Sequence, residues 1–247
     1  MDISLLFKQL HGILDADALV PLANRRDLVK KKQFDELVSY LEVDPKNLYY
    51  DPNNQINWVI YYDGLCYVPL HAVQIDALKL MRIKEMLHQQ MEHLHKLEQS
   101  KDFYTLFHII DKKILIPAFV KYHKQIPADQ VYDVFVDLYQ RSEYGFEKIP
   151  KDVIAYAFQH REESIDWRKR MEKLQKKCKT EFVKIYRGET PKSTPNNMSW
   201  TLSKKTAQFF ASRFASKGNV LEKVVRVGDL LDYITSRGEE EVLYLSK

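Results

Sequence analysis

The chain has 247 residues, of which 45% are hydrophobic and 29% charged, and its formal net charge is +4. This composition is typical of a soluble globular protein with enough length for one large or two small domains. Cys66 and Cys178 do not form a Cys-x-x-Cys pair, which argues against a disulfide framework and favours a reducing compartment. The first turns interleave apolar with charged residues and no apolar run reaches membrane-spanning length, so we expect a cytoplasmic protein that does not contact membranes.

The N-terminal part of the chain combines a helical pattern with a hairpin signal. Residues from Asp2 to Leu41 repeat apolar side chains at helical spacing, and Asp44-Pro45 ends that pattern. Asp63-Gly64 then lies between apolar runs at 58–62 and 65–68, which is a strong short-range signal for a hairpin. A β-hairpin is therefore expected near 57–69.

Beyond the hairpin, apolar residues at helical spacing predict long helices at 72–98, 103–123 with a kink at Pro117, 129–144 and 163–179. The first of these carries His88, His93 and His95. Their spacing is not that of a metal-binding motif, so no metal site is assigned.

The helix predicted at 163–179 has one apolar face and an otherwise basic surface. Such a surface is either a face that only contacts solvent, or a binding surface that attracts NAD, an acidic protein or a nucleic acid by its positive charge. Its apolar residues are Trp167, Met171, Leu174 and Cys178, and its basic residues are Arg168, Lys169, Arg170, Lys173, Lys176, Lys177 and Lys179.

Two short strands are predicted after this helix. Val183 and Ile185 alternate with polar residues and indicate a half-buried strand that ends at Arg187 and is released by Gly188. A loop over 190–197 leads to a second strand, in which Ser199 and Thr201 point to one face and Trp200 to the other.

The last elements lead to a run of three glutamates. Ser203 is a good N-cap for a helix over 204–216, the β-branched run at 220–227 predicts a buried strand, and 229–235 predicts a short helix. In an extended segment, Glu239 and Glu241 would face the same way. Two neighbouring carboxylates suit the stabilisation of a developing positive charge.

The order Arg187, then Ser199-x-Thr201, then Glu239-x-Glu241 resembles the R-S-E class of mono-ADP-ribosyltransferases, which includes bacterial toxins and phage-related enzymes. The segments YRG, SWTLSKKTAQFFA and RGEEEVLYL carry this resemblance, which covers residues 182–245. Two features depart from the family: the loop between the first two motifs is short, and Trp200 replaces the middle residue of Ser-Thr-Ser. The resemblance implies an NAD-binding split β-sandwich with the nicotinamide riboside in a cleft between two small sheets.

The resemblance also implies residue roles. Arg187, with Gly188 beside it, would bind the NAD phosphates or ribose, for which a guanidinium fork suits better than an ammonium. Ser199 would orient the catalytic carboxylate, and Thr201 would support the same loop. Glu241 would bind the 2′-hydroxyl of the nicotinamide ribose and stabilise the oxocarbenium-like transition state, while Glu239 would position or deprotonate the acceptor.

The predicted architecture is α+β, with a mainly helical region at 1–162 and a small mixed-sheet ADP-ribosyltransferase core of the split β-sandwich type at 163–247 that borrows upstream helices. The predicted function is NAD-dependent mono-ADP-ribosyl transfer to a macromolecular acceptor, a protein arginine ahead of a nucleic acid. An intracellular toxin or a phage or defence effector would use this activity, and an inhibitor or antitoxin protein is a candidate partner. Two alternatives stay open: an NAD glycohydrolase, and a non-catalytic partner-binding module with a degenerate transferase core.

Overall fold

The computed structural model describes residues 13–53, 59–70, 77–142, 145–190, 198–212, 218–235 and 238–245. The chain divides into two compact units, Met1–Arg161 and Glu162–Lys247, so the division falls one residue before the boundary placed from the sequence. The structure is a mixed α/β fold with two antiparallel sheets in its described part. None of the described helices has the length and apolar character required to cross a membrane.

The first unit contains a four-stranded antiparallel sheet in the order β1-β2-β3-β4. Its strands are β1 (Val20–Pro21), β2 (Leu48–Tyr50), β3 (Val59–Tyr62) and β4 (Tyr67–Pro69). The hairpin predicted from Asp63-Gly64 is confirmed, since Tyr62 pairs with Tyr67 and Gly64 has a φ of 103°. The Asp63 carboxylate stabilises the turn by accepting hydrogen bonds from the backbone N–H groups of Leu65 and Cys66.

The single helical segment predicted from Asp2 to Leu41 is wrong in its described part. Short 3-10 turns at Ala16–Ala18 and Leu22–Asn24 flank β1, and the helix α1 spans only Lys31–Leu41. Pro21 lies at the end of β1, where it pairs with Tyr49, and a proline there interrupts any helix through this segment. Residues 2–12 lie outside the described part.

The remaining helices of the first unit surround a core of buried aromatic side chains, among them Phe103, Phe107, Phe119 and Phe135. They are α2 (Ala77–Ser100), α3 (Phe103–Ile109), α4 (Leu115–Tyr122), α5 (Ala128–Arg141) and α6 (Lys151–Gln159). The helix α6 was not predicted. The first residues predicted for α2, 72–76, and the last predicted for α5, 143–144, lie outside the described part.

The helix predicted at 103–123 is two helices, and its break is not at Pro117. The chain breaks at Asp111, whose carboxylate accepts a hydrogen bond from the Lys113 N–H at 2.8 Å and starts a 3-10 turn at Lys112–Ile114. Pro117 is the third residue of α4. The first backbone N–H groups of a helix have no partner within that helix, so proline is tolerated at this position.

The second unit contains a five-stranded sheet in the order β7-β5-β6-β9-β8, covered by helix α7 (Ile165–Lys177). The other elements are β5 (Phe182–Glu189), β6 (Ser199–Thr201), α8 (Lys204–Ser212), β7 (Asn219–Arg226), β8 (Asp232–Ile234) and β9 (Glu241–Leu243). Every described strand pair is antiparallel, so the prediction of a mixed sheet is wrong. The described strands of this unit lie in this one sheet, and a division into two small sheets stays a prediction.

The apolar faces predicted for α7 and β6 are confirmed. Leu174 of α7 is completely buried against Ile185 of β5, Trp200 of β6 and Val242 of β9, and Met171 and Cys178 pack beside it. Trp200 therefore belongs to the core of the unit, whereas its neighbours Ser199 and Thr201 point to the other face of the sheet.

Three strand predictions are corrected by the sheet. The first predicted strand continues through Arg187 to Glu189, because β7 pairs with all eight of its residues. β7 itself is an edge strand with mostly exposed residues, among them Val224 at 58% exposure, and is not a buried strand. The short helix predicted at 229–235 is a 3-10 turn at Val227–Asp229 followed by β8, because pairing with β9 holds the segment extended.

The helix predicted at 204–216 is present as α8, and Ser203 caps it by accepting a hydrogen bond from the Thr206 N–H at 3.2 Å. Residues 213–217 and the loop at 191–197 lie outside the described part. α8 packs closely on β5 at Gly188. A Cβ atom at this position would lie 2.2 Å from the carbonyl oxygen of Ala207 and 2.6 Å from the backbone nitrogen of Ala211.

Gly188 supplies a test of this close approach. We expect Gly188→Ala to lower the free energy of unfolding by about 1–3 kcal/mol, because the added methyl group meets rigid backbone atoms. Gly228→Ala is the matched control, since no atom lies within 4 Å of its Cβ position. Urea unfolding followed by circular dichroism measures both variants, and equal stabilities would contradict the packing described for α8.

Candidate functional site

The three glutamates do not form one extended segment. β9 begins only at Glu241, and Glu240 adopts a left-handed conformation with a φ of 51°. The chain must reverse direction between β8 and β9, and Gly238, with a φ of 68°, takes part in the same reversal. The expectation that Glu239 and Glu241 share a face through the strand pleat is therefore wrong, because Glu239 precedes the strand.

Glu241 is a buried carboxylate held by a hydroxyl group from the neighbouring strand. The Ser199 hydroxyl donates a hydrogen bond of 2.5 Å to Oε1 of Glu241, and Glu241 is only 9% exposed. Short O–H···O⁻ bonds of this kind are charge-assisted and stronger than bonds between neutral groups. This contact fixes the direction of the carboxylate.

Thr201 supports the turn that carries the other two glutamates. Its hydroxyl donates to the carbonyl oxygen of Glu239 at 2.6 Å, and the Leu202 N–H donates to the carbonyl oxygen of Glu240 at 3.0 Å. Thr201 also pairs with Glu241 across the two strands. The hydroxyls of Ser199 and Thr201 thus contact two successive parts of the glutamate segment, its strand and its turn.

Arg187 lies on the strand next to β6, but its side chain leaves the opposite face of the sheet. Tyr186 pairs with Thr201, so alternation along β5 directs Arg187 towards the face that Trp200 occupies. Arg187 is 9% exposed, and its Nε atom lies 3.5 Å from Oε1 of Glu189. The sheet therefore brings the three motifs onto adjacent strands, with Arg187 on one face and the Ser199–Glu241 pair on the other.

The ladder between β5 and β6 is unusually short for two neighbouring strands. In the described part of the chain it consists of the Tyr186–Thr201 pair, whereas β5 pairs with β7 over eight residues. The ladder thus ends one residue before Arg187. Among the described strand pairs of this sheet, the two strands that bear Arg187 and Ser199 therefore share the fewest paired residues.

Helix α7 holds the β8–β9 segment through a row of four polar side chains spaced about one turn apart. The Trp167 indole N–H donates to the Leu231 carbonyl oxygen at 2.8 Å, and the Arg170 guanidinium forms a two-pronged ion pair with Asp232, with contacts of 2.9 Å. The row is completed by Lys173, which donates to the Thr235 hydroxyl at 3.4 Å, and by Lys177, which pairs with Glu240.

These contacts follow the hairpin from the start of β8 to the glutamate turn. Asp232 is fully buried, and its carboxylate also accepts a hydrogen bond of 2.6 Å from the Tyr233 N–H. The hydrogen bond to Glu240 raises the pKa of Lys177 above its usual value, because this contact stabilises the charged form of the lysine. Glu240 is thereby engaged with α7, while Glu241 is engaged with Ser199.

Sequence reasoning missed Arg170 and Asp232 as a pair. The sequence pattern places Arg170 on the basic surface of its helix and Asp232 in a short helix, so it does not bring the two together. An acidic residue inside the apolar run Leu-Leu-Asp-Tyr-Ile is the signal that could have found it, because a carboxylate among buried neighbours needs a cationic partner.

The described residues contain no group of three or more histidine, cysteine or acidic side chains arranged to hold a metal ion. Comparison of the chain with protein-family models, with curated proteins and with solved structures finds no match.

The Arg170–Asp232 pair is predicted to stabilise the strands beside the site. We expect Arg170→Met to lower the free energy of unfolding by about 3–5 kcal/mol, because it leaves a buried carboxylate without its cation. The double variant Arg170→Met with Asp232→Asn should recover part of this loss, since asparagine is neutral and can still accept from the Tyr233 N–H. Denaturant unfolding of the two variants decides the point, and a double variant less stable than Arg170→Met would refute it.

Proposed function

We propose that the chain is an NAD-dependent mono-ADP-ribosyltransferase, in which Glu241 is the catalytic carboxylate and NAD is the substrate. The observation that carries this proposal is the buried Glu241 carboxylate, oriented by the Ser199 hydroxyl at 2.5 Å on adjacent strands. The same two residues are paired in function by the resemblance to R-S-E transferases. A hydrogen bond between positions 42 residues apart is not implied by the sequence order alone.

The chemistry needs a fixed negative charge beside the nicotinamide ribose. When the bond between C1′ and the nicotinamide nitrogen breaks, its electron pair leaves with nicotinamide, and positive charge develops on the ribose ring. A preoriented carboxylate in a site with little water stabilises that charge, because no solvent has to reorganise during the reaction. The acceptor then forms a bond to C1′ and loses a proton. Glu241 fits the first requirement through its burial and its fixed direction.

Arg187 and Gly188 would contribute to NAD binding. A guanidinium offers a planar fork of donors to phosphate oxygens. Gly188 would contribute indirectly, by letting α8 pack closely on β5 beside Arg187. The short ladder between β5 and β6 supports a ligand site at this place, because strands joined by one pair can separate to admit a substrate. Arg187 would contact that substrate from the face of the sheet opposite to the Ser199–Glu241 pair.

Glu239 would serve the acceptor, which is a macromolecule in this proposal. Its place in the turn before β9, with its carbonyl oxygen held by Thr201, supports a role at the rim of the site next to Glu241. The Glu-x-Glu resemblance favours a protein arginine as acceptor, and a nucleic acid is the alternative that the basic helix suggests. With water as acceptor, the same site would be an NAD glycohydrolase.

The Ser199–Glu241 pair gives the direct test by mutation. We expect Glu241→Gln to reduce the rate of nicotinamide release by at least about a hundredfold, because the near-isosteric amide removes the charge that stabilises the transition state. Ser199→Ala should lower kcat about ten- to a hundredfold with little change in KM, because it frees the direction of the carboxylate without removing it.

Ser212→Ala is the matched control for Ser199→Ala, because the Ser212 hydroxyl donates only to carbonyl oxygens of its own helix in the described contacts. Chromatographic quantification of nicotinamide measures all three variants, and circular dichroism checks that they fold. Activity of Glu241→Gln within a few fold of the wild type would remove Glu241 from the mechanism.

Arg187 has a separate test in binding. We expect Arg187→Lys to raise the dissociation constant for NAD about tenfold, because a point charge cannot reproduce the donor fork of a guanidinium. Arg226→Lys is the control, since Arg226 is an exposed arginine of the same sheet that pairs with Glu181. Isothermal titration with NAD measures both, and an unchanged constant for Arg187→Lys would reduce Arg187 to a structural partner of Glu189.

A further inference from the structure

We propose that the acceptor is a single-stranded nucleic acid, which docks on the exposed basic surface of α7. This inference rests on the proposed function and names the substrate class of the same site. It departs from the protein arginine that the motif resemblance favours, and the charges of the second unit carry it.

The positive charge of the chain is concentrated in the second unit. Residues 162–247 contain eighteen lysines and arginines against twelve acidic residues, whereas residues 1–161 contain twenty against twenty-two. The overall charge of +4 therefore conceals a basic unit and a slightly acidic one. A concentrated positive field attracts polyanions and slows the approach of cationic groups.

Within the second unit, α7 and the segment directly after it present what we call the basic face, formed by Arg168, Lys173 and Lys176 of the helix and by Lys179 beyond its C-terminal cap, all of them exposed. In the described part of the chain, none of these four residues has a carboxylate within ion-pair distance. Lys169 and Lys177 differ, because they pair with Asp166 and Glu240. The basic face thus consists of charges that no acidic neighbour neutralises.

The helix dipole favours the lysines near the C-terminus of α7 but does not explain Arg168. Arg168 is the fourth residue of α7, near the positive end of the helix dipole, where a cation is unfavourable. From Arg168 to Lys176 the helical part of the basic face extends for about 12 Å, at a rise of about 1.5 Å per residue, and Lys179 lies beyond the end of the helix. A strand of nucleic acid carries one phosphate per ~3.4 Å in duplex geometry, so about three or four phosphates span the helical part.

The basic face is continuous with the glutamate turn. Lys173 contacts Thr235 and Lys177 pairs with Glu240, so the C-terminal half of α7 lies along the turn that leads into Glu241. A polyanion bound to α7 would therefore run past the turn that carries Glu239 and Glu240 and leads into β9. An arginine side chain approaching the same turn would meet the repulsion of the unpaired lysines.

The strand must be single to react. In a duplex the Watson–Crick edge of each base is occupied by its partner, and enzymes that modify bases either extrude the base or act on single strands. A single strand leaves its bases exposed while its phosphates contact lysines. The dinucleotide NAD carries only two phosphates, so binding of NAD alone does not explain a basic face of this length.

The docking surface is tested by measuring binding of a fluorescent 20-nucleotide single-stranded RNA. A single-stranded DNA of the same sequence is measured separately. We expect a quadruple variant of the basic face to bind the RNA about ten- to a hundredfold more weakly than the wild type. It combines Arg168→Gln, Lys173→Gln, Lys176→Gln and Lys179→Gln. The slope of log K against log salt should become shallower by about 0.7 for each phosphate that the protein no longer neutralises. The matched control replaces Lys31, Lys46, Lys112 and Lys124, four exposed lysines of the first unit, by glutamine and changes the net charge equally.

The control variant should bind RNA like the wild type. Equal losses of affinity in the two variants, tighter binding of duplex than of single strands, or equal binding of polyglutamate would overturn the proposal.

A second experiment incubates the wild-type chain with NAD labelled in the adenine and with a mixture of RNA, DNA and protein. Label on nucleic acid supports the proposal, and label on protein overturns it while the transferase function stands. Failure to release nicotinamide would instead reject the transferase function, and the binding arm alone would then decide whether α7 docks nucleic acid.

Discussion

The candidate site depends on the register between β6 and β9. Ser199 reaches Glu241 only because Trp200 pairs with Val242, which places the flanking residues of both strands on one face. A slip of one residue would carry Glu241 to the opposite face of the sheet, where Trp200 and Val242 are buried. The core residues of these strands therefore determine the chemistry of the residues beside them. Trp200 anchors this register through its burial and its edge-to-face contact with Tyr244.

Helix α7 supplies the stability that the strands lack. β6, β8 and β9 have three residues each, and strands of this length gain little from their own ladders. The row from Trp167 to Lys177 fastens the β8–β9 segment at four points, and Leu174 covers the sheet between them. One surface of the helix thus holds the glutamate turn in place, while the unpaired lysines and Arg168 remain exposed. Lys173 belongs to both sets, whereas Trp167, Arg170 and Lys177 serve only the structural support and Arg168 serves only the proposed docking.

The elements that the sequence predicted well are those whose pattern is local. Asp63-Gly64 identified its hairpin because the turn geometry requires a residue with positive φ, and Ser203 identified the start of α8 through its cap. The alternation of Ser199, Trp200 and Thr201 identified the two faces of β6. Each of these depends on a few consecutive residues, so tertiary packing did not have to be known.

The errors arose where distant contacts decide the conformation. The segment at 229–235 has helical spacing, but pairing with β9 and the ion pair to Arg170 make it a strand. The glutamate run looked extended, but the reversal between β8 and β9 requires the left-handed conformation of Glu240. The order of the motifs indicated that Arg187, Ser199 and Glu241 act together, while only the register shows that Arg187 leaves the other face of the sheet. The Lys177–Glu240 pair joins residues that no sequence pattern connects.

The proposed mechanism requires a buried carboxylate, oriented by Ser199, to promote cleavage of the nicotinamide bond of NAD. The decisive measurement is the time course of nicotinamide release when the purified wild-type chain is incubated with NAD, first alone and then with a mixture of protein and RNA. We expect steady release that accelerates when an acceptor is added, because the acceptor removes the ribosyl group from the site. A folded wild-type chain that releases no nicotinamide in either mixture would contradict this mechanism.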